Sequence, residues 1–362
     1  MLRFITAGES HGPGITAILE GMPAGIEVDE KELSLELSRR RKGYGRGGRA
    51  KIEDDEVQIT SGVIAGKTTG APIAVFIPNK DYINWKDKYV PIVAPRPGHA
   101  DLAGMIKYGF EDCRPVAERA SARETAARIA CGYFAKKLLY KEGIEVISWV
   151  TQIGQISADL PPMDERMYDE NVAKKLFLLA ESSEVRCPDN LASEQMKKLI
   201  DDALEKGDTL GGIFEVAALN VPIGLGSYVH WDRRLDARLA AAVMSIPGVK
   251  GVEMGMGFKL AEVSGREAHD PILISKRGSN KAGGIEGGMS NGEIIFLRAA
   301  MKPIPTLQNP LPSVDLRTME KTLAHVERSD VCAVGSAAVV AESMVALVLA
   351  DALLEERGGS RW

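Results

Sequence analysis

Leu2-Arg3-Phe4-Ile5-Thr6-Ala7, then Gly8-Glu9-Ser10-His11-Gly12-Pro13-Gly14, then Ile15-Thr16-Ala17-Ile18-Leu19-Glu20 open the chain and read as strand, tight glycine turn, strand. Gly21-Met22-Pro23 stops the second strand. A helix is predicted next, with Asp29 and Glu32 spaced as a capping box and Leu33 and Leu37 on one face. It ends near Gly43, after Arg39-Arg40-Arg41, three cations that suit the negative end of the helix dipole. The pattern returns at 211–245. Ile213–Leu219 followed by Asn220-Val221-Pro222-Ile223-Gly224 echoes Ile15–Glu20 followed by Gly21-Met22-Pro23-Ala24-Gly25, and Leu235 and Leu239 repeat the spacing of Leu33 and Leu37. An internal duplication of two β-β-α halves accounts for both.

The strongest helix signal between the halves covers Arg119–Leu139. Ser121 and Glu124 have capping-box spacing, Glu124 and Arg128 pair at i,i+4, and Ile129 and Tyr133 begin an apolar face. Strands are expected at Val57–Ile64, Pro72–Ile77 and Glu145–Ile156, and a helix at Ser193–Lys206 stopped by Gly207. The polar, aromatic, proline-rich stretch Pro78–Pro97 reads as a long functional loop. Strands alternate with helices without a Gly-rich βαβ fingerprint, so the chain is expected to be α/β in the α+β sense and not a dinucleotide-binding domain. No low-complexity linker divides it, which predicts one domain over 1–362.

Forty-five basic residues against fifty acidic ones leave a net charge of −5, which argues against a surface that is one nucleic-acid footprint. Cys113, Cys131, Cys187 and Cys332 are far apart with no CxxC pair, so neither a disulfide framework nor a zinc site is indicated. The first residues lack a secretory apolar region. The longest apolar run, Ala337 to Leu354, is interrupted by Glu342, Ser343 and Asp351 and reads as a buried helix, not a membrane span. These features predict a cytoplasmic protein with no membrane partner.

Local chemistry departs from this ordinary background. Two of only five histidines, His11 and His99, sit beside glycines in Gly/Pro turns, in Gly8–Gly12 and Arg96-Pro97-Gly98-His99-Ala100-Asp101. Histidine can give and take a proton near neutral pH, and glycine lets backbone and ligand approach closely. Arginines crowd the intervening chain: Arg39, Arg40, Arg41, Arg46 and Arg49, then Arg114, Arg119, Arg123 and Arg128. Their forks suit a small ligand with several carboxylate or phosphate groups. A solvated helix face with i,i+4 pairing is the simpler account of Arg128. Arg119 and Ser121 stand at a helix N-terminus that already attracts anions. The run Gly283–Gly292 suits either a backbone wrapped on a ligand or a plain hairpin. Lys302-Pro303-Ile304-Pro305-Thr306 carries a cation on a stiff loop, and Arg328-Ser329-Asp330 precedes the last helix.

Gly8–Gly12, Arg39–Arg41, Arg96–Leu102, Arg119–Arg128 (RASARETAAR), Gly283–Gly292 and Arg328–Val334 (RSDVCAV) occur in this order, and through them the chain resembles the chorismate synthase family over essentially its whole length. Two positions depart: Gly335 stands where the family usually has proline, and Pro247-Gly248 lies where the family varies. The resemblance implies a 1,4-elimination in which 5-enolpyruvylshikimate 3-phosphate loses phosphate and a ring hydrogen to give chorismate. It implies reduced FMN without net redox change, a transient electron compensating for a ring C–H that is not strongly acidic. It places His11 as acid for the departing phosphate, His99 beside the flavin, Asp330 as a hydrogen shuttle near flavin N5, and Ser10 in support. It assigns substrate binding to Arg39, Arg40, Arg46, Arg49 and Arg123. It assigns the flavin to Arg119, Ala120, Ser121, Pro247, Gly248, Gly287, Lys302, Pro303, Ile304, Pro305, Thr306 and Arg328. A nicotinamide cofactor is placed at Arg40 and Arg46 in relatives, so NADPH enters as a candidate reductant. The resemblance further implies long helices sandwiched between antiparallel sheets and a homotetramer. Two other classes compete. An RNA-binding module could use the Gly-Arg loop RRRKGYGRGGR, although that loop is short of aromatics. An ordinary flavin oxidoreductase would show net substrate oxidation.

Overall fold

The computed structural model describes residues 1–48, 53 and 55–358. The opening turn joins strands β1 (Arg3–Ala7) and β2 (Gly14–Glu20), which pair antiparallel with Phe4 opposite Leu19 and Thr6 opposite Ala17. Gly8 has φ +114°, and a Cβ there would lie 2.3 Å from the Gly14 carbonyl oxygen, so only glycine closes this turn. Helix α1 (Glu30–Arg41) follows, then β3 (Gln58–Ser61) and β4 (Ile73–Pro78), completing a sheet of order β1-β2-β4-β3. The second half contributes β5 (Glu145–Ile153), β6 (Ile156–Ser157), β7 (Gly212–Leu219), β8 (Val249–Met254) and β9 (Ile295–Met301), in the order β8-β9-β7-β5-β6. The four long strands of each sheet therefore lie first-second-fourth-third in chain order.

Between the halves run α2 (Asp101–Tyr108), α3 (Arg114–Arg119) and α4 (Thr125–Tyr140); α5 (Leu235–Met244) and α6 (Val334–Glu356) belong to the second half. Helix α4 packs on β2 and β4, α6 packs on β5 and β7, and the two helices pack on each other. They cross at Gly132, where a Cβ would lie 2.3 Å from Cβ of Ser343; the bare backbone permits that approach. Helix α6 is long and apolar enough to cross a membrane, yet it is buried along nearly its whole length in the core, as its interrupted pattern predicts. The four cysteines are buried free thiols.

Two local expectations are corrected. The helix expected over Arg119–Leu139 is divided: α3 ends at Arg119, a 3₁₀ turn covers Ala122–Glu124, and α4 begins at Thr125. The Ser121 hydroxyl accepts from the Arg123 N–H, while Glu124 is drawn away to the Thr6 hydroxyl and Arg128, so no capping box forms. At α1, Asp29 caps as expected, accepting from the Lys31 N–H at 2.7 Å, but Glu32 turns to Lys137 instead of closing the box.

Candidate active site

The first motif is held from outside its own sequence. The Asn79 amide donates to the carbonyls of Glu9, Ser10 and Gly12, at 3.1, 3.2 and 2.8 Å. Helix α3 supplies the rest: Glu118 accepts the Ser10 N–H on its main-chain oxygen at 3.0 Å, and its carboxylate meets His11 at the backbone N–H (2.7 Å) and at Nδ1 (2.8 Å). The Ser10 hydroxyl donates to that of Ser121 at 3.1 Å. Trp85, from the loop predicted to be functional, lies under the His11 ring with centroids 4.0 Å apart. Burial pushes the Glu118 carboxyl upward, but its hydrogen bonds from His11 outweigh this and hold it below the ordinary range.

His99 is held in a parallel way. Its Nδ1 lies 2.5 Å from Asp101, a fully buried carboxylate that also accepts from Arg96 Nε at 2.8 Å. Arg96 Nη2 lies 3.2 Å from the same Nδ1, but the shorter contact is to a carboxylate, which only accepts, so Nδ1 carries the hydrogen and Nε2 is the nitrogen left for chemistry. Burial would raise the Asp101 carboxyl; His99 and Arg96 overcome it and keep the group ionised far below its usual range. Gly98, with φ +77°, lets the loop pass Lys302, whose Nζ donates to the Gly98 carbonyl at 2.5 Å.

The arginines converge from three segments: α1, the loop after it and the 3₁₀ turn before α4. Arg40 donates to Asp55 at 3.0 Å, and Arg123 pairs with the same buried carboxylate and donates from Nε to the Asn79 amide oxygen at 2.8 Å. Arg46 lies 2.5 Å from Asp330, whose other oxygen accepts the Gly47 N–H at 2.7 Å. A Cβ on Gly47 would lie 2.6 Å from the Ser329 carbonyl, so glycine allows this close contact. Burial and the neighbouring Arg46 and Arg123 guanidinium groups push Arg40 below its ordinary pKa, against the pull of Asp55. Nε of Arg40 and Nε of Arg46 are buried and have no hydrogen-bond partner among the described residues. Like charges crowded together in a buried space favour an anion among them.

The histidines, the arginines, Glu118 and Asp330 line one cavity of about 670 Å³, with Asn79, Asp101 and Asp55 bracing them from behind. Ser10, His11, His99 and Asp330, more than three hundred residues apart at the extremes, share its wall with Arg40, Arg46 and Arg123. Ala120, Ser121, Pro247, Gly248, Lys302, Pro303, Ile304, Pro305, Thr306 and Arg328 line it as well. A model of the chorismate synthase family matches residues 2–354. The chain belongs to this family. It is 53% identical to the chorismate synthase of Aquifex aeolicus (strain VF5) over 99% of this chain and 94% of that protein. It is 52% identical to that of Geobacter sulfurreducens over 99% of this chain and 95% of the relative. A crystal structure of a chorismate synthase superposes with a TM-score of 0.82 at 44% identity, covering 100% of this chain and 94% of that one.

Within this chorismate synthase fold, three residues of the expected set stand elsewhere. Arg39 does not reach the cavity; it is bound to Glu342, Glu181 and Glu36, because neighbouring helical positions point about 100° apart. Arg119 lines a smaller adjoining pocket of about 470 Å³, donating to Thr6 and Gly8; Ala120, Ser121 and Pro247 border both spaces. Gly287 lies outside the cavity, in the turn of a hairpin formed by Ile285–Glu286 and Met289–Ser290, where Gly287 and Gly288 both have positive φ. The plain-hairpin account of the glycine run holds for these two positions. Arg49 lies outside the described residues.

Sequence reasoning missed the carboxylates Glu118, Asp55 and Glu327 and the clamp Asn79. Glu327 could have been suspected from its place beside Arg328-Ser329-Asp330. It pairs with Arg114 at 2.6 Å, and although burial raises its carboxyl, His325, Arg114 and Arg96 bring it down to about 2. A depressed folded pKa means stability that is present above the ordinary carboxylate range and lost as pH falls toward the folded value. Thermal melting of the parent is therefore expected to decline from about pH 5 to about pH 3, and that of Glu327→Gln to decline less steeply over the same interval. Parallel curves would show that Glu327 does not contribute.

Proposed function

We propose that this chain carries out the 1,4-elimination of phosphate from 5-enolpyruvylshikimate 3-phosphate to give chorismate, with reduced FMN bound in the same cavity. The observation that supports it most is the meeting of His11, His99 and Asp330 in one guanidinium-walled space, where Nε of Arg40, Arg41 and Arg46 are buried without a hydrogen-bond partner among the described residues. The substrate carries two carboxylates and a phosphate, and Arg40, Arg46 and Arg123 would bind them; by the family resemblance Arg49, outside the described residues, belongs to the same set. His11, with Nδ1 engaged by Glu118, would donate a proton from Nε2 to the leaving phosphate oxygen. Asp330, oriented by Arg46 and the Gly47 N–H, would accept the proton that balances the elimination.

The residues present suit a flavin. Ala120, Ser121, Pro247-Gly248, Lys302–Thr306 and Arg328 all line the cavity, with Arg119 in the adjoining pocket, and would hold FMN with His99 beside it. Reduced FMN, when bound, supplies and recovers an electron, so the substrate is neither oxidised nor reduced. Arg40 and Arg46 are also the residues we assign to NADPH if it serves as reductant. The identical strand orders, each half closed by a long helix, support an internal duplication with helices layered between the sheets. The exposed cross-strand pair Ile5 and Ile18 on the first sheet fits burial in a homotetramer. We keep the cytoplasmic assignment, with neither nucleic acid nor membrane as partner. Arg39, Arg40, Arg41 and Arg46 are largely buried in ion pairs, which disfavours an RNA-binding loop at these positions.

Anaerobic incubation with reduced FMN and 5-enolpyruvylshikimate 3-phosphate should release phosphate and chorismate in equal amounts. Net oxidation of the substrate, or no phosphate, would overturn the reading. Arg46→Lys should raise the substrate KM about tenfold, since an ammonium cannot hold Asp330 and a substrate oxygen in a fork. An unchanged KM would remove Arg46 from the binding set.

A further inference from the structure

Glu118 belongs to none of the histidine or arginine sets, yet it makes more contacts with the first motif than any residue except Asn79. One carboxylate oxygen accepts the His11 backbone N–H at 2.7 Å, the other meets His11 Nδ1 at 2.8 Å, and the main-chain oxygen accepts the Ser10 N–H at 3.0 Å. Arg114, one helical turn earlier, donates to the same carboxylate at 3.2 Å. The Trp85 ring covers one face of the imidazole. Both side chains are mostly shielded, His11 at 15% and Glu118 at 12% exposure.

The turn does not need the ring contact. Asn79 already holds its carbonyls, and the Ser10 and His11 N–H bonds to Glu118 complete the backbone. The bond to Nδ1 constrains only the side chain. We propose that Glu118 is the positioning residue for His11, fixing the ring so that Nε2, and not Nδ1, faces the departing phosphate. This rests on the reading of His11 as proton donor. A carboxylate acceptor dictates the tautomer, and the backbone bond from the same carboxylate leaves the ring little freedom about its side-chain torsions. The other charged groups facing the pair are Arg114 and, through it, Glu327, which Arg114 binds at 2.6 Å. Arg114 holds Glu118 in place, and its guanidinium lies over the other ring in the assembly, 5.4 Å from the Trp85 centroid.

The test is a cycle of Glu118→Gln, His11→Ala and the double variant, assayed anaerobically with reduced FMN and substrate. Glu118→Gln keeps the size and an acceptor oxygen but removes the charge. We expect kcat to fall about 10–100-fold, with KM within about threefold. In the His11→Ala background, Glu118→Gln should cost nothing further, since a residue acting through another has no effect once that other is gone. A full additional loss in the double variant, or a Glu118→Gln enzyme with the parent's kcat, would overturn the positioning role. So would a loss confined to KM and FMN affinity. Full activity of His11→Ala would instead overturn the proton-donor reading itself, which separates the two failures.

Discussion

His11→Ala is expected to lower turnover by about 10²–10⁴-fold while FMN and substrate affinities stay within a few-fold. Phosphate is a poor leaving group without a proton, and the cavity offers Nε2 of His11 for it, because Nδ1 is committed to Glu118. Among the described residues, neither the arginines assigned to the substrate nor the loops assigned to the flavin share a hydrogen bond with the His11 side chain, whose partner is Glu118, so binding should survive. The fold should survive too: Asn79 keeps the turn, and Glu118 keeps Arg114 and the His11 and Ser10 N–H groups. Single-turnover phosphate release measures the loss, and flavin titration by absorbance measures the affinity. Turnover within threefold of the parent would mean that the proton comes from elsewhere, and a collapse of flavin affinity would move His11 to the flavin site.

The elements most legible in the sequence are those set by local patterns. The β1–β2 hairpin follows from alternation around an obligatory glycine turn, and α1 begins at the Asp29 cap that its sequence announces. His11 and His99 were visible because Gly and Pro fixed their turns. Their carboxylate partners differ in legibility for one reason, sequence distance. Asp101 is two residues from His99 and sits within the same motif, whereas Glu118 is 107 residues from His11 and only the packing of α3 against the first turn brings them together. The division of the expected helix at 119–125 has the same origin. Ser121 and Glu124 look like a capping box until Ser10 and Thr6, far away in the chain, claim their side chains. Arg39 and Arg40 are equivalent in composition but not in direction, and no local pattern says which face of α1 meets a cavity and which meets the core helix α6.

That last distinction has a large consequence for stability. Glu342 on α6 is fully buried, with Arg39 at 2.7 Å, Lys136 at 2.7 Å, Ser148 at 2.6 Å and Arg186 at 3.3 Å from its carboxylate oxygens. Glu36 and Glu181 complete the cluster, so three cations meet three carboxylates. Burial pushes the Glu342 carboxyl upward, but Arg39 and Lys136 overcome it and keep it ionised well below the ordinary range, so its stabilisation is present above that range and lost in acid. Glu342→Gln keeps the volume and leaves one positive charge uncompensated inside the protein. Breaking a buried pair from one side costs about 3–5 kcal/mol, far more than the pair itself contributes over an apolar replacement. Thermal unfolding at fixed protein concentration should therefore drop markedly, while KM per active molecule stays unchanged, because neither Glu342 nor Arg39 lines the cavity. If melting is unaffected and the substrate KM rises instead, Arg39 serves the substrate after all, and the division of labour between the two faces of α1 is wrong.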